Sequence, residues 1–530
     1  MTKKLSFVIK TSQSFIRHSE ETFKNYLPQY NSLFEDLTDT YIPLLNMVEN
    51  LEKENVECRF SLVISPVFCT LMEDENVQNQ YLLWLENNIL LGQNELERNS
   101  DNEELQEIIR SNIKKLKKVQ QLFKEDYDKQ ILKKFAEYHQ KGFIELIATC
   151  GTDIFIPHFM DLPEVVSAQI EAGLQSYRQT FGIFPDGFWL PELGYAAGVE
   201  DLIRAYGYSY TILDARSVLL SEELPSTGLF YPLRASNSLI VFVAEPETKD
   251  MIFGDSGFAS NPVYRNENHD IGFELPLKSL SPVLQSGSVR YSTGYKYWNK
   301  SLSDSQDGIY DYKEAVKQAK KDAKAFLEAK NKVLSKACKC LPELNYVETV
   351  CTLDADLLKQ SWSEWIVWFE QIMRKSKEYE ISMVKCNEML EKAFTLEKIT
   401  PYYSSEAGDG YGENLLSSKN CWMMRYVRKA SERMIDLSDR FPNDTGLKTR
   451  LLNLGAKELM IAQSSLLAKM IENEEFPEYA EKRFKESISA FTVVFDSLGS
   501  NTVSTEWLTK LEEKDDLFPW MNYRIFSKKK

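Results

Sequence analysis

GFWLPELGYAAGVEDLIRAYGYSYTIL (187–213) sets an apolar run, an amphipathic segment and a second apolar run in succession. Residues 187–191 and 209–213 are rich in aromatic and β-branched types and read as strands. GVEDLIRAYG (198–207) between them carries apolar residues at helical spacing and ends on a glycine. Strand, helix, strand at this length is a crossover unit, which joins parallel strands. The pattern repeats outward. LSFVI (5–9), RFSLVIS (59–65), GFIELIA (142–148), SLIVFVA (238–244) and VETVCTL (347–353) are further strand candidates, with helical segments such as VSAQIEAGLQSYRQTF (166–181) between them. This alternation predicts an α/β fold with a parallel sheet or barrel. In a barrel, the segments that follow the strands line one mouth, where chemistry is placed. That mouth gathers TSQS after the first strand, TCGTD after 142–148, PELGY after 187–191 and DADLL after 347–353.

Residues 95–135 are densely charged with helical periodicity and predict a helix pair over the surface, part of an excursion spanning 70–135. Residues 214–300 mix Gly, Ser, Pro and aromatics without period and read as a loop-rich insertion. From 396 to 530 the pattern is helical, as in LKTRLLNLGAKELMIAQSSLLAKMI (447–471), which predicts an α-helical C-terminal domain after a barrel domain over 1–395.

The chain has 530 residues and a net charge of −16, which repels phosphate backbones and anionic membranes, so no nucleic-acid partner is expected. Its eight cysteines and four histidines show no metal-ligand spacing; no metal and no cofactor are expected. No apolar stretch approaches the roughly 20 residues that cross a bilayer, and the short apolar run near the N-terminus is unlike a signal peptide. A cytoplasmic location without membrane association is the resulting expectation.

Two acids follow apolar runs at the expected mouth. Glu192 stands just after Pro191, flanked by Trp189 and Tyr195, whose rings could stack on sugars. Taken alone, such a Glu is more often a solvated loop residue. Asp354 opens ADLLKQSW, and taken alone it reads as a helix N-cap. Together they suit retaining glycoside chemistry, in which two carboxyl groups stand about 5–5.5 Å apart. One attacks the anomeric carbon; the other protonates the departing oxygen and then activates the incoming nucleophile.

The segment 187–215 resembles the nucleophile segment of glycoside hydrolase family 57, in its amylase-like and 1,4-α-glucan branching-enzyme branch. LSFVIKTSQSFIRHSEE (5–21), TYIPLL (40–45), GFIELIATCGTDIFIP (142–157), NPVYRNENHDIGFEL (261–275), GYKYW (294–298), VCTLDADLLKQSWSEW (350–365) and LEEKDDLFPWMNYRIF (511–526) resemble further family segments, so the likeness covers nearly the whole chain. It implies a distorted (β/α)7 barrel, an insertion and a helical C-terminal domain, with Glu192 as nucleophile and Asp354 as general acid/base. The departures are also specific. Lys10, Thr11, Ser12, Gln13 and Ser14 stand where the family has His-Ala-His-Leu-Pro; Gly151, Thr152 and Asp153 replace Ala-Thr-His. Leu358, Lys359, Gln360, Ser361 and Trp362 replace Phe-Gly-His-Trp-Trp, Ala244 stands at an arginine, and Ser465, Leu466 and Leu467 replace Ser-Asp-Trp. Trp189, Tyr195, Trp362, Gln360, Asp153, Lys10 and Gln13 are the expected sugar-contacting residues. The implied activity is retaining hydrolysis or glucanotransfer on α-1,4-glucan or maltooligosaccharide, branching-enzyme-like, at a strength the altered motifs could weaken. The alternatives are a non-catalytic α-glucan-binding or regulatory relative, and an interaction protein using the acidic helical surface.

Overall fold

Seven of the apolar runs form parallel strands that close nearly into a barrel. The computed structural model describes residues 1–16, 27–281, 283–284, 289–301, 308–500 and 502–528; the last five residues of the 5–21 segment lie outside these. The strands are β1 (Thr2–Lys10), β2 (Phe60–Val63), β3 (Ile144–Ile147), β4 (Gly187–Phe188), β5 (Tyr210–Asp214), β6 (Leu233–Arg234), β7 (Ile240–Ala244), β8 (Tyr346–Asp354) and β9 (Ile381–Val384). Parallel pairing runs β3-β2-β1-β8-β7-β5-β4. A parallel bridge between Ala148 and Phe188 brings the two ends of that path together. Its hydrogen bonds run from Trp189 N to Ala148 O (2.8 Å) and from Ala148 N to Gly187 O (3.2 Å). Two strands stand outside the path: β6 pairs antiparallel with β7, and β9 pairs parallel with β1.

The strands are buried on both faces, which is why they read as continuous apolar runs rather than alternating ones. Val8, Val63, Ile147, Ile212, Phe242 and Val350 fill the lumen as a core distinct from the larger one between barrel and helices. Beneath them the Tyr210 hydroxyl donates to Glu145 (2.7 Å), as does the Ser61 hydroxyl (2.7 Å). Gly187 makes room for that tyrosine, since a Cβ there would sit 2.2 Å from the Tyr210 ring.

The excursion folds as two helices, Glu75–Arg98 and Glu103–Gln121, packed on each other. Downstream, helices Trp422–Arg440, Leu447–Gln463, Ser465–Glu472, Pro477–Ser500 and Thr505–Lys514 pack together. Arg483 joins three of these segments from within, paired with Asp515 (3.2 Å) and Glu458 (3.6 Å). Among the described residues no helix is long and apolar enough to cross a membrane.

Candidate active site

Parallel register sets the first contact of the site. Lys10 ends β1 and Asp354 ends β8, and the two are direct Cα partners, so both side chains emerge together at the carboxyl mouth. The Lys10 ammonium lies 3.2 Å from Asp354 Oδ2. Asp354 Oδ1 is engaged elsewhere: it caps helix Ala355–Ser361 by accepting from the backbone N–H groups of Asp356 (3.0 Å) and Leu357 (3.1 Å). The capping role and the mouth-facing role thus use different oxygens of one carboxylate.

Glu192 arrives from across the barrel. Pro191 has no N–H to extend β4, and the chain turns sharply over Pro191–Leu193, with Glu192 at φ 57° and Leu193 at φ 47°. Left-handed backbone in non-glycine residues costs about 1–3 kcal/mol each and persists only where surroundings enforce it. Here loop 404–406 enforces it: Glu406 N–H (2.8 Å) and the Ser405 hydroxyl (2.9 Å) both donate to the Glu192 carbonyl. The turn directs the Glu192 carboxylate at Lys10, 3.7 Å away, and at Lys469, whose ammonium donates to Oε1 at 2.6 Å. Lys469 belongs to helix Ser465–Glu472, which is moored to the barrel where Ser465 donates twice to the Asp153 carbonyl (2.7 and 2.6 Å). A third carboxylate, Glu406, lies 3.0 Å from Lys10.

Lys10 is therefore a hub for three carboxylates, with its side chain only 9% exposed. Burial pushes its pKa down, but Asp354, Glu192 and Glu406 outweigh this and hold it well above the ordinary lysine value. Burial pushes Glu192 and Asp354 up; the Lys10 and Lys469 charges prevail and hold both below the usual carboxylate range. Asp153 goes the other way, to about 7, through burial and the neighbouring Glu192 charge. Asp356, buried and beside Asp354, is also raised. Because one nitrogen touches both Glu192 and Asp354, their nearest oxygens are no farther apart than the two contact lengths combined. That limit barely enters the roughly 6.5–9.5 Å spacing of inverting pairs and includes the retaining spacing of about 5–5.5 Å.

These groups border a cavity of about 680 Å³, a volume in the range of pockets for small ligands, about 300–1,000 Å³. Of the expected residues, Lys10, Gln13, Trp189, Glu192, Asp354 and Gln360 line it. Gln13 donates to the Ser14 carbonyl (2.9 Å). Three expected residues do not line the cavity. Asp153 lies behind the wall, its backbone carbonyl accepting from Ser465 and its carboxyl buried close to Glu192. The Tyr195 ring is buried, with its hydroxyl donating to Glu200 (3.1 Å). Trp362 is wholly buried against Tyr264 and Trp368, with ring centroids at 5.3 and 5.5 Å. Both aromatics serve packing: Trp362 lies beyond the helix Ala355–Ser361, and Tyr195 is bridged through its backbone to Ser404. Trp362→Ala is accordingly expected to cost about 3–5 kcal/mol of stability in urea unfolding, without a selective loss of sugar affinity in the folded protein.

Glu406 and Lys469 were not legible as site residues. Glu406 lies in SSEAGDGYG (404–412), where glycines erase any period, and Lys469 sits in SLLAKMIE (465–472), where a lysine reads as a solvated helix face. The D-A-D spacing of 354–356 was the one available signal for Asp356.

The barrel fits what comparison finds. The family model "Glycosyl hydrolase family 57" matches residues 6–267, and that for the C-terminal region of 1,4-alpha-glucan branching enzymes matches 426–526. The chain belongs to glycoside hydrolase family 57. Within that family it is similar to the 1,4-alpha-glucan branching enzyme of Thermococcus kodakarensis, 22% identical over 97% of this chain and 77% of that protein. The solved alpha-amylase AmyC from Thermotoga maritima superposes with a TM-score of 0.90 at 27% identity, covering 99% of each chain. The family 57 branching enzyme from Pyrococcus horikoshii shares the fold, with a TM-score of 0.87 at 22% identity over 99% of this chain and 97% of that one.

Proposed function

We propose that this family 57 protein acts on α-1,4-glucan or maltooligosaccharide by a retaining mechanism, as a branching-enzyme-like glucanotransferase or hydrolase. The observation that carries the reading is the convergence of Glu192 and Asp354 on one ammonium at the mouth of the barrel. Glu192, held ionised by its two lysines, attacks the anomeric carbon as the glycosidic C–O bond breaks. The departing oxygen takes its proton from Asp354. A glycosyl ester on Glu192 results, and the ionised Asp354 then removes a proton from water or from a hydroxyl of a second glucan, which displaces Glu192 from the anomeric carbon. Water gives hydrolysis; a 6-hydroxyl gives a branch. Trp189, Gln13 and Gln360 are the wall residues nearest in kind to sugar ligands, and Lys10 acts on the carboxylates rather than on sugar. Eight free thiols suit a reduced cytoplasmic setting, and the net charge of −16 disfavours nucleic acid and anionic membranes as partners.

One observation favours a second reading, a glucan-binding relative without turnover. Asp354 is held ionised by Lys10, whereas the first step needs it protonated. Purified protein incubated with amylose and maltooligosaccharides decides between the two. New reducing ends or new α-1,6 linkages support the enzyme; calorimetric binding with no product over days supports the binder, and absence of both sinks each.

A further inference from the structure

Lys469 differs from the other charged groups at the barrel mouth in where it comes from and in what it touches. It is supplied by the helical region, on Ser465–Glu472, and its side chain lines the cavity. Among the described residues its ammonium makes one ion pair, the 2.6 Å contact with Glu192 Oε1. Lys10, by contrast, divides its charge among three carboxylates and meets the same Oε1 from farther off, at 3.7 Å. Both cations therefore fall on one oxygen of Glu192. Among the described residues no hydrogen bond is made to the other, Oε2.

The helix that carries Lys469 is fixed at both ends. Ser465 anchors its start to the Asp153 carbonyl. Near its end the Asn420 amide donates to the Ala468 carbonyl (3.3 Å) and the Lys419 ammonium to the Glu472 carbonyl (3.2 Å). The Lys469 ammonium is thus in place before a ligand arrives, as electrostatic assistance requires.

The unequal treatment of the two oxygens has a chemical consequence. An oxygen held by two cations is the poorer nucleophile, so Oε2 bonds the anomeric carbon and Oε1 becomes the carbonyl oxygen of the ester. The carboxylate charge disappears as the ester forms and returns as it breaks. A fixed ammonium favours the charged form, so it opposes the first step and assists the second. In that second step water attacks the anomeric carbon, Asp354 takes its proton, and the electron pair of the ester C–O bond returns to Glu192. Lys469 meets the returning charge at Oε1.

We propose that Lys469 is a positioning residue that presents Oε2 of Glu192 to the anomeric carbon and speeds cleavage of the resulting ester, so that the second half of the reaction depends on the helical region. The inference rests on the retaining reading above and adds to it which oxygen attacks and which step the helical region serves.

Rapid-quench fluoride release and intact-protein mass measurement with α-maltosyl fluoride test it, because fluoride departs without a proton and the ester can be weighed directly. Wild type is expected to hold little adduct. Lys469→Met is expected to lower kcat about tenfold or more while the first turnover of fluoride keeps its rate. Fluoride then appears as a burst, and most of the protein carries one maltosyl group. Lys469→Arg, which keeps a charged donor for Oε1, is expected to restore turnover and remove the adduct. Equal adduct in wild type and Lys469→Met overturns the proposal. So does a first turnover that slows in step with kcat, which is the result of a merely structural loss. Absence of fluoride release from every protein, with Glu192→Gln setting the zero, is a distinct outcome that removes the retaining reading and this inference with it.

Discussion

Glu192→Gln is expected to lower turnover of amylose by about a thousandfold or more, since under the proposed mechanism it removes the carboxylate that forms the glycosyl ester. Gln is nearly isosteric, and its amide oxygen can still accept from Lys469, now 2.6 Å from the carboxylate. The left-handed turn at 192–193 is held through the carbonyl rather than the side chain, by Ser405 and Glu406, so the backbone should be preserved. Lys10 keeps Asp354 and Glu406 as partners. The expected signature is a collapse of kcat with an unchanged far-UV spectrum and a modest change in urea midpoint. Equal turnover by the variant, with equal products, would dismiss Glu192 as nucleophile and with it the retaining mechanism at this pair. Glu192→Asp is a useful companion. It keeps the charge but shortens the reach by one methylene, so it should keep the ion pair with Lys469 yet lose most of the rate, because covalent attack depends on placement within tenths of an ångström.

The division between what was legible in sequence and what was not follows burial and period. Parallel strands covered on both faces leave uninterrupted apolar runs, so β1, β2, β3, β5, β7 and β8 were readable, as were the residues that follow them. GFWLP reads as five residues of strand, but only Gly187 and Phe188 pair, because Pro191 and the left-handed Glu192 bend the chain away. β9, ISMV, went unread: four residues after a polar turn give no alternation to detect, and its place beside β1 is fixed by contacts some 380 residues distant in sequence. Glu192 and Asp354 were legible because each is the first charged residue beyond a largely apolar run, whereas Glu406 follows no such run. Their cations were harder. Lys10 could be placed at the mouth, but its role as hub depends on three carboxylates arriving from three segments, which no local pattern encodes. The aromatics misled for a related reason. Trp362, Trp365 and Trp368 recur at a spacing of three, which marks one buried face, and all three are fully buried.

Lys10→Met is expected to be the most destabilising single change at the site, at about 3–5 kcal/mol, since it strands buried carboxylates that shared one counter-charge. The estimate needs little reduction for solvent screening, because Lys10 is 9% and Glu192 8% exposed. The pH dependence has a definite sign. Glu192 and Asp354 have folded pKa values below their unfolded ones, so their contribution to stability is present above about pH 4 and is lost as pH falls through the depressed folded values. Lys10 is raised, so its contribution is complete below about pH 10 and fades only as pH climbs through its folded value. Across the neutral range the cluster should therefore stabilise the wild type evenly, with an acid-side decline that Lys10→Met shrinks or reverses, because carboxyls no longer held below their unfolded values are relieved by protonation. Catalysis should respond to the same change. Without Lys10 the Asp354 carboxyl holds its proton to higher pH, so the acid limb of kcat/KM, which reports the nucleophile, and the alkaline limb, which reports the acid, should both move upward. Urea unfolding at pH 3, 5, 7 and 9, paired with a pH–rate profile on maltooligosaccharides, measures both effects on the same protein. Limbs that stay in place would show that Lys10 does not govern the protonation of the pair, and that the proton for the departing glucan is held by another group; Asp153, pushed up to about 7 beside Glu192, is then the residue to substitute next.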